Sequence, residues 1–196
     1  MTSLFESIIT SYISDGVGQS LDFMPLELAE NLRRNLDQHH TNVELKHAGI
    51  GQNQDFQQDS NYRKDKIHWL EPETTDVSER AFFQLMDSWV EFLNRTCFTG
   101  ISNYEFHYAL YEEGSYYRRH LDQFASNDSR VFSMIIYLNE DWKDGDGGEL
   151  IIYKENEHIT ISPSKHKLVF FDSSVLEHEV LTTRVPRKSI TGWLKR

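Results

Sequence analysis

Tyr108-Ala-Leu-Tyr-Glu-Glu-Gly-Ser-Tyr-Tyr-Arg-Arg-His-Leu-Asp122 is the stretch from which the fold can be read. Aromatic and apolar residues at both ends flank a polar, Gly-containing middle, which predicts strands over 103–111 and 116–120 joined by a turn. The same grammar continues downstream, predicting strands over 131–138, 149–153, 157–161, 167–171, 176–181 and 189–195. Gly/Asp turns such as Asp144-Gly-Asp-Gly-Gly148 separate them. That turn is not a calcium loop: an EF-hand starting at Asp144 would put Glu149 where Gly is required and Gly148 where an oxygen ligand is expected. It reads as a hairpin turn. Short strands in such number predict a jelly-roll barrel.

Upstream of 102 the periodicity is helical. Pro25 opens a segment in which Leu26, Leu28, Ala29, Leu32 and Leu36 form a stripe. Asp76-Val-Ser-Glu79 has the spacing of a capping box and introduces Phe82, Phe83, Leu85, Met86, Trp89, Val90, Phe92 and Leu93, which recur at three and four. So large an apolar face needs a sheet to lie on. The expected fold class is therefore α+β, mainly β, as one domain over 1–196, with a helical part over about 1–97 backing a β core over about 102–196. Between the helices, Ala48–Asn61 is rich in Gly, Gln, Asn and Asp. It reads either as a solvated linker or as a loop that covers substrate. Arg63-Lys-Asp-Lys-Ile-His-Trp-Leu70, which follows, turns apolar at its end as a strand would.

Bulk composition excludes several classes of function. The chain has 196 residues, long enough to bury a core without disulfide staples. Its net charge of −11 and the absence of a basic stripe argue against a nucleic-acid partner. Cys97 is the sole cysteine, so no intrachain disulfide forms; it reads as a small buried residue on a helix. No apolar run reaches the roughly 20 residues of a membrane span. Met1–Ile13 lacks a basic start and a long apolar centre, so no signal peptide is expected and the predicted location is cytoplasmic.

The chemistry begins with His120-Leu-Asp122. Along a strand, residues i and i+2 share a face, so this triplet can offer two ligands to one ion. Alone it is unspecific. His178 supplies a third ligand from a second apolar strand context, Val175-Leu-Glu-His-Glu-Val-Leu181. Two His and one carboxylate on one face are the ligand set of non-haem Fe(II) oxygenases, which leave the remaining positions open for cosubstrate and O2. Arg187 follows, within reach of the same pocket, and can grip a carboxylate with two prongs. A cosubstrate that chelates iron at one end and presents a carboxylate at the other fits this layout, which points to 2-oxoglutarate.

The quoted stretch, with Tyr137-Leu-Asn-Glu-Asp-Trp142, Gly147-Gly-Glu-Leu150, His178-Glu-Val180 and Thr191-Gly-Trp193, resembles the prolyl-hydroxylase branch of the 2-oxoglutarate oxygenases, the Egl nine type and its bacterial relatives. Arg63–Trp69 resembles that group's segment after its mobile loop, and the similarity covers about 45–196. The resemblance implies a double-stranded β-helix with iron on His120, Asp122 and His178. It implies Arg187 and Thr191, helped by Tyr137, on the distal carboxylate of 2-oxoglutarate, and Tyr111 at its chelating end. Arg130 and Trp193 match positions near a substrate proline. The Tyr111–His120 loop is one residue shorter than in animal members. The implied reaction is hydroxylation of a prolyl residue in a protein, with O2 as cosubstrate and ascorbate as a possible auxiliary. Elongation factor Tu is the target implied by bacterial relatives, the hypoxia-inducible factor by animal ones; the Thr-Gly-Trp-Leu-Lys-Arg196 ending and small size favour the former. A hydroxylase of a free amino acid or other small molecule, and a non-catalytic metal-binding sensor barrel, are the alternatives. His39, His40, His47, His68, His107, His158 and His166 have no partner at a useful spacing and read as structural or exposed.

Overall fold

The computed structural model describes residues 2–49, 61–123 and 128–196. Three helices, α1 (Thr2–Asp15), α2 (Leu26–Thr41) and α3 (Val77–Cys97), accompany eleven strands among these residues. The strands are β1 (Val17–Ser20), β2 (Lys46–His47), β3 (Lys66–Trp69), β4 (Asn103–Tyr111), β5 (Tyr117–His120), β6 (Arg130–Tyr137), β7 (Leu150–Tyr153), β8 (His158–Ile161), β9 (Leu168–Asp172), β10 (His178–Val180) and β11 (Arg187–Lys195). They form a seven-stranded sheet ordered β1-β9-β6-β11-β4-β3-β2 and a four-stranded sheet ordered β5-β10-β7-β8. Neighbours run antiparallel throughout these ladders. The architecture is the jelly roll that the strand pattern predicts and the double-stranded β-helix that the resemblance implies, mainly β with helices on one side.

Strand alternation divides the large sheet into two faces. Phe106, Tyr108 and Leu110 of β4, with Met134, Ile136, Phe170 and Ile190, pack under the helices against Phe82, Met86 and Trp89 of α3. Ala109, Tyr111, Ile135, Tyr137, Val169 and Phe171 point the other way and meet Leu150, Ile152, Ile161 and Val180 of the small sheet. The long pairing of β11 with β4, from Arg187 opposite Tyr111 to Lys195 opposite Asn103, sets the register of the wall that carries the site.

Three local differences from expectation stand out. First, α1 and β1 form a helix and a strand where the periodicity predicts neither. Thr2–Asp15 is rich in Ser, Thr and Ile, a composition weak in helix propensity; Phe5 and Ile8, both buried, hold it against the core, with Phe5 edge-on to Trp89 at 4.9 Å. Second, Asp76 does cap α3, accepting from the Ser78 and Glu79 amides at 2.9 Å each. Glu79, however, does not close the box: its carboxylate takes the hydroxyls of Thr74 at 2.6 Å and Tyr108 at 3.2 Å, while the Asp76 amide turns to Thr74 Oγ1 at 3.2 Å. Third, Cys97 is exposed, since α3 ends there and Phe98 takes the left-handed conformation with φ 53°. The 48–61 loop, linker or cover, falls almost wholly outside the described residues.

Candidate active site

His120, Asp122 and His178 converge between the two sheets. His120 ends β5 and stands directly opposite His178 of β10. Asp122 lies two residues past the end of β5, not within a strand as the i, i+2 reading assumed, yet its carboxylate reaches the same point. His120 Nε2 is 3.5 Å from Asp122 Oδ1 and His178 Nε2 is 3.4 Å from Oδ2. The three ligand atoms fit within 4.8 Å of one another, and all three residues are buried.

Their hydrogen bonds prepare them for a cation. His120 Nδ1 donates to the Arg118 carbonyl at 2.7 Å, and His178 Nδ1 donates to that of Leu176 at 3.1 Å. With the proton on Nδ1, each Nε2 carries a lone pair aimed at the shared centre. Burial lowers the His178 pKa to about 4, against the pull of Asp122, and favours the neutral ring. For Asp122, burial works against ionisation, but His178, His120 and the Ser133 hydroxyl outweigh it and hold the carboxyl well below its ordinary range. The Ser133 bond is 2.6 Å, and Ser173 supports Ser133 at 2.8 Å. Two imidazoles and a carboxylate facing one point, with space beyond, are the chemistry that Fe(II) requires.

Deeper in the barrel, Arg187 is only 2% exposed. Its Nε donates to the Gly148 carbonyl at 2.9 Å, and its guanidinium carbon lies 4.8 and 4.9 Å from the ring centres of Tyr111 and Tyr137. The Asp144–Gly148 turn thus has a second task. Gly147 and Gly148 adopt φ of 73° and 74°; a Cβ on Gly147 would fall 2.3 Å from the Thr182 carbonyl oxygen, and one on Gly148 3.0 Å from Arg187 Cδ. A side chain at Gly147 would clash with the Thr182 backbone, and one at Gly148 would crowd the arginine. Arg187 Nη2 and the Tyr137 hydroxyl are buried without a hydrogen-bond partner. A buried guanidinium with no carboxylate partner is costly, and a bound dicarboxylate would relieve it. The cavity fits 2-oxoglutarate on that ground: metal ligands at one end, and at the other a buried arginine with no carboxylate partner and Tyr137 behind it.

The fold brings most of the predicted residues to one cavity. His120, Asp122, His178, Tyr111, Arg187, Thr191 and Trp193 line it, while Tyr137 and Arg130 stand behind the lining. Arg130 makes two bonds to Glu105 Oε1, at 2.9 and 2.8 Å, stacks on Trp193 at 3.5 Å, and donates to the Asp122 carbonyl at 3.3 Å. It therefore braces Trp193 and the Asp122 backbone together.

Sequence reasoning missed a supporting stack and one wall residue. Tyr117 lies flat on His120 with ring centres 3.6 Å apart; Arg63 covers the other side of Tyr117 at 4.1 Å. Asp65, 1% exposed, holds Arg63 with bonds of 2.7 and 2.6 Å. Arg63-x-Asp65 was visible as a motif, but its meeting with Tyr117 is a long-range bridge. His107, read as structural or exposed, is buried and lines the cavity. Alternation along β4 could have found it, because His107, Ala109 and Tyr111 share the inward face. A second cluster, His39, Glu44 and His68, also gathers within 4.8 Å. Its imidazoles stack at 3.9 Å and 21°, so their lone pairs run nearly parallel and do not converge; His39 instead bonds Glu44 and approaches Glu79 at 3.6 Å.

A β-helix barrel carrying a two-His, one-carboxylate face beside an orphaned arginine defines the class of non-haem iron oxygenases. Residues 106–195 match the 2OG-Fe(II) oxygenase superfamily. Egl nine homolog 1 of Rattus norvegicus is 32% identical over 142 residues, covering 67% of this chain and 41% of that protein; the human homologue is 32% identical over the same length, covering 67% of this chain and 32% of its own. The chain thus spans less than half of these curated relatives. A crystal structure of a Pseudomonas putida prolyl-4-hydroxylase superposes with a TM-score of 0.90 at 31% identity, covering 98% of this chain and 100% of that one. The chain belongs to the prolyl-hydroxylase family of the 2OG-Fe(II) oxygenases. Among the described residues, no helix is long and apolar enough to cross a membrane.

Proposed function

We propose that this chain is an Fe(II)- and 2-oxoglutarate-dependent dioxygenase, a single domain over 1–196, that hydroxylates a prolyl residue of a protein in the cytoplasm. The observation that carries the reading is the buried, carboxylate-free Arg187 facing the same cavity as His120, Asp122 and His178. The likeness to the Pseudomonas putida prolyl-4-hydroxylase over nearly the whole chain supports the prolyl target.

In this reading His120, Asp122 and His178 hold the iron by one face. Iron, O2 and 2-oxoglutarate together supply the oxidising power that places an oxygen atom on the proline. The protein's residues bind, orient and shield. Arg187 with Tyr137 and Thr191 anchors the distal carboxylate, and Tyr111 guides the chelating end. The apolar wall of Ala109, Ile135, Leu150 and Val180 keeps bulk water from the cavity. Trp193, held by Arg130, offers a flat surface for the substrate proline at the outer row of the barrel.

Elongation factor Tu is the substrate to test first, with ascorbate included to keep the iron reduced. Mass spectrometry of cell protein with and without the enzyme should show a +16 shift on a proline, first sought in elongation factor Tu. A protein that consumes 2-oxoglutarate with a free amino acid while no protein proline shifts would contradict the reading.

A further inference from the structure

Six buried polar side-chain atoms among the described residues lack a hydrogen-bond partner, and four of them belong to the barrel: Arg187 Nη2, the Tyr137 hydroxyl, Trp193 Nε1 and His107 Nδ1. Buried polar groups are almost always paired, so orphans gathered in one cavity mark positions that a ligand completes. The arginine and tyrosine suit the distal carboxylate. His107 has no role yet.

Register places His107 within the barrel. Across the large sheet it pairs with Trp69 of β3 on one side and Thr191 of β11 on the other; Thr191 in turn pairs with Ile135. Directly opposed residues share a face, so His107, Thr191 and Ile135 form one row of the cavity wall, with Trp69 continuing the row at its exposed edge. The next row outward holds Trp193 and Ser133, and Ser133 grips Asp122. Two rows further in, Arg187 pairs with Tyr111. His107 therefore flanks the space between the metal ligands and Arg187, the space a molecule bridging the two must cross. It is 2% exposed and walled by Trp69 at 4.9 Å and Trp193 at 5.5 Å between ring centres. These indoles fix the ring and shut it away from solvent at the mouth. Burial, with Arg63 and Arg130 nearby, lowers its pKa to about 3, leaving a neutral ring with one N–H to give.

We propose that His107 is a specificity-determining residue for the cosubstrate, donating a hydrogen bond from its ring to an oxygen at the metal-facing 2-oxo acid end of 2-oxoglutarate. This rests on the proposed function only in taking 2-oxoglutarate as the molecule that spans the cavity. Arg187 then reads one end of the ligand and His107, together with Tyr111, the other, so a dicarboxylate without the 2-oxo group, whose near end no chelate holds in place, gains less from His107.

The test is anaerobic titration of 2-oxoglutarate into protein loaded with Mn(II) in place of iron, for wild type, His107→Leu and His107→Gln. A hydrogen bond to a charged group contributes a factor of roughly ten or more. The leucine variant should therefore bind 2-oxoglutarate about tenfold more weakly, the glutamine variant should recover most of the loss, and glutarate should lose less than 2-oxoglutarate does. Metal affinity should not change. In Zn(II)-loaded protein labelled with 15N-histidine, the His107 ring resonance should move when 2-oxoglutarate is added, which reads the contact even if the leucine variant misfolds. Unchanged affinity in the leucine variant, or a His107 resonance indifferent to 2-oxoglutarate, overturns the role of His107 alone. Failure of wild type to bind 2-oxoglutarate at all overturns the proposed cosubstrate with it.

Discussion

The two faces of β4 and β11 are built from the same strands and do opposite work. Toward the helices, Phe106, Tyr108, Leu110, Ile190 and Leu194 join a continuous aromatic and aliphatic layer. Phe82 meets Phe106 edge-on at 5.1 Å, and Trp89 stacks on Phe92 at 5.7 Å. The indole of Trp89 is the one orphaned polar atom in that layer among the described residues. Toward the barrel, the alternate positions His107, Tyr111, Arg187 and Trp193 carry polar atoms, and three of the four leave one unpaired. One face is satisfied without a ligand but for that single indole; the other is not. Stability belongs to the first and binding to the second, and substitutions should separate them.

The largest effect is expected at the metal face. Asp122→Ala removes the carboxylate between the two imidazoles, so 2-oxoglutarate turnover should fall to background. Far-ultraviolet circular dichroism and the metal-free Tm should change little, because the helix-facing layer is untouched. Turnover near the wild-type rate would place the metal elsewhere. Next comes the opposite face. Phe82→Ala empties a fully buried ring site and should cost roughly 3–5 kcal/mol in urea unfolding. The fraction that remains folded should keep its affinity for 2-oxoglutarate; a parallel loss would mean that the faces are coupled.

The smallest effect is at the start of α3. Asp76 accepts two backbone N–H groups, and Asp76→Ala should cost about 1 kcal/mol at neutral pH. Burial works against ionisation of Asp76, but the Glu79 and Ser78 amides and the Asn35 side chain prevail and lower its pKa. A depressed carboxyl pKa stabilises the fold above the unfolded value, near 4, and that contribution is lost as pH falls through the folded value. Urea curves for the two proteins should therefore differ at pH 7 and approach each other at pH 3.

How much of this the sequence disclosed follows the range of the interactions. Strand 103–111 was legible because alternation is local, and β4 occupies Asn103–Tyr111. α3 was legible for the same reason. α1 was not: its residues favour helix weakly, and what holds it is packing onto residues far along the chain, such as Phe5 on Trp89, together with the close approach of Ile8 to Gly18 of β1, where a Cβ would meet Ile8 at 2.9 Å. At the site, the ordered series of His120, Asp122, His178 and Arg187 could be read because each residue type narrows the chemistry. The Asp65–Arg63–Tyr117–His120 stack could not, since it forms only when β5 meets the segment before β3. His107 escaped for a different reason. Lone histidines in strands mostly pack or face water; alternation along β4 puts this one on the face of Tyr111, but that this face is the one turned to the cavity emerges only once the sheets are assembled.

The central claim is that the barrel face binds 2-oxoglutarate between the metal ligands and Arg187. Anaerobic calorimetry of 2-oxoglutarate with Fe(II)-loaded protein tests it most directly, with metal-free protein and Arg187→Ala as controls. Breaking a buried ion pair costs roughly 3–5 kcal/mol. The account predicts one saturable site per chain that requires the metal, and an affinity lowered at least a hundredfold in Arg187→Ala while iron still binds. Equal affinity with and without metal, or an Arg187→Ala variant that binds as wild type does, would contradict it.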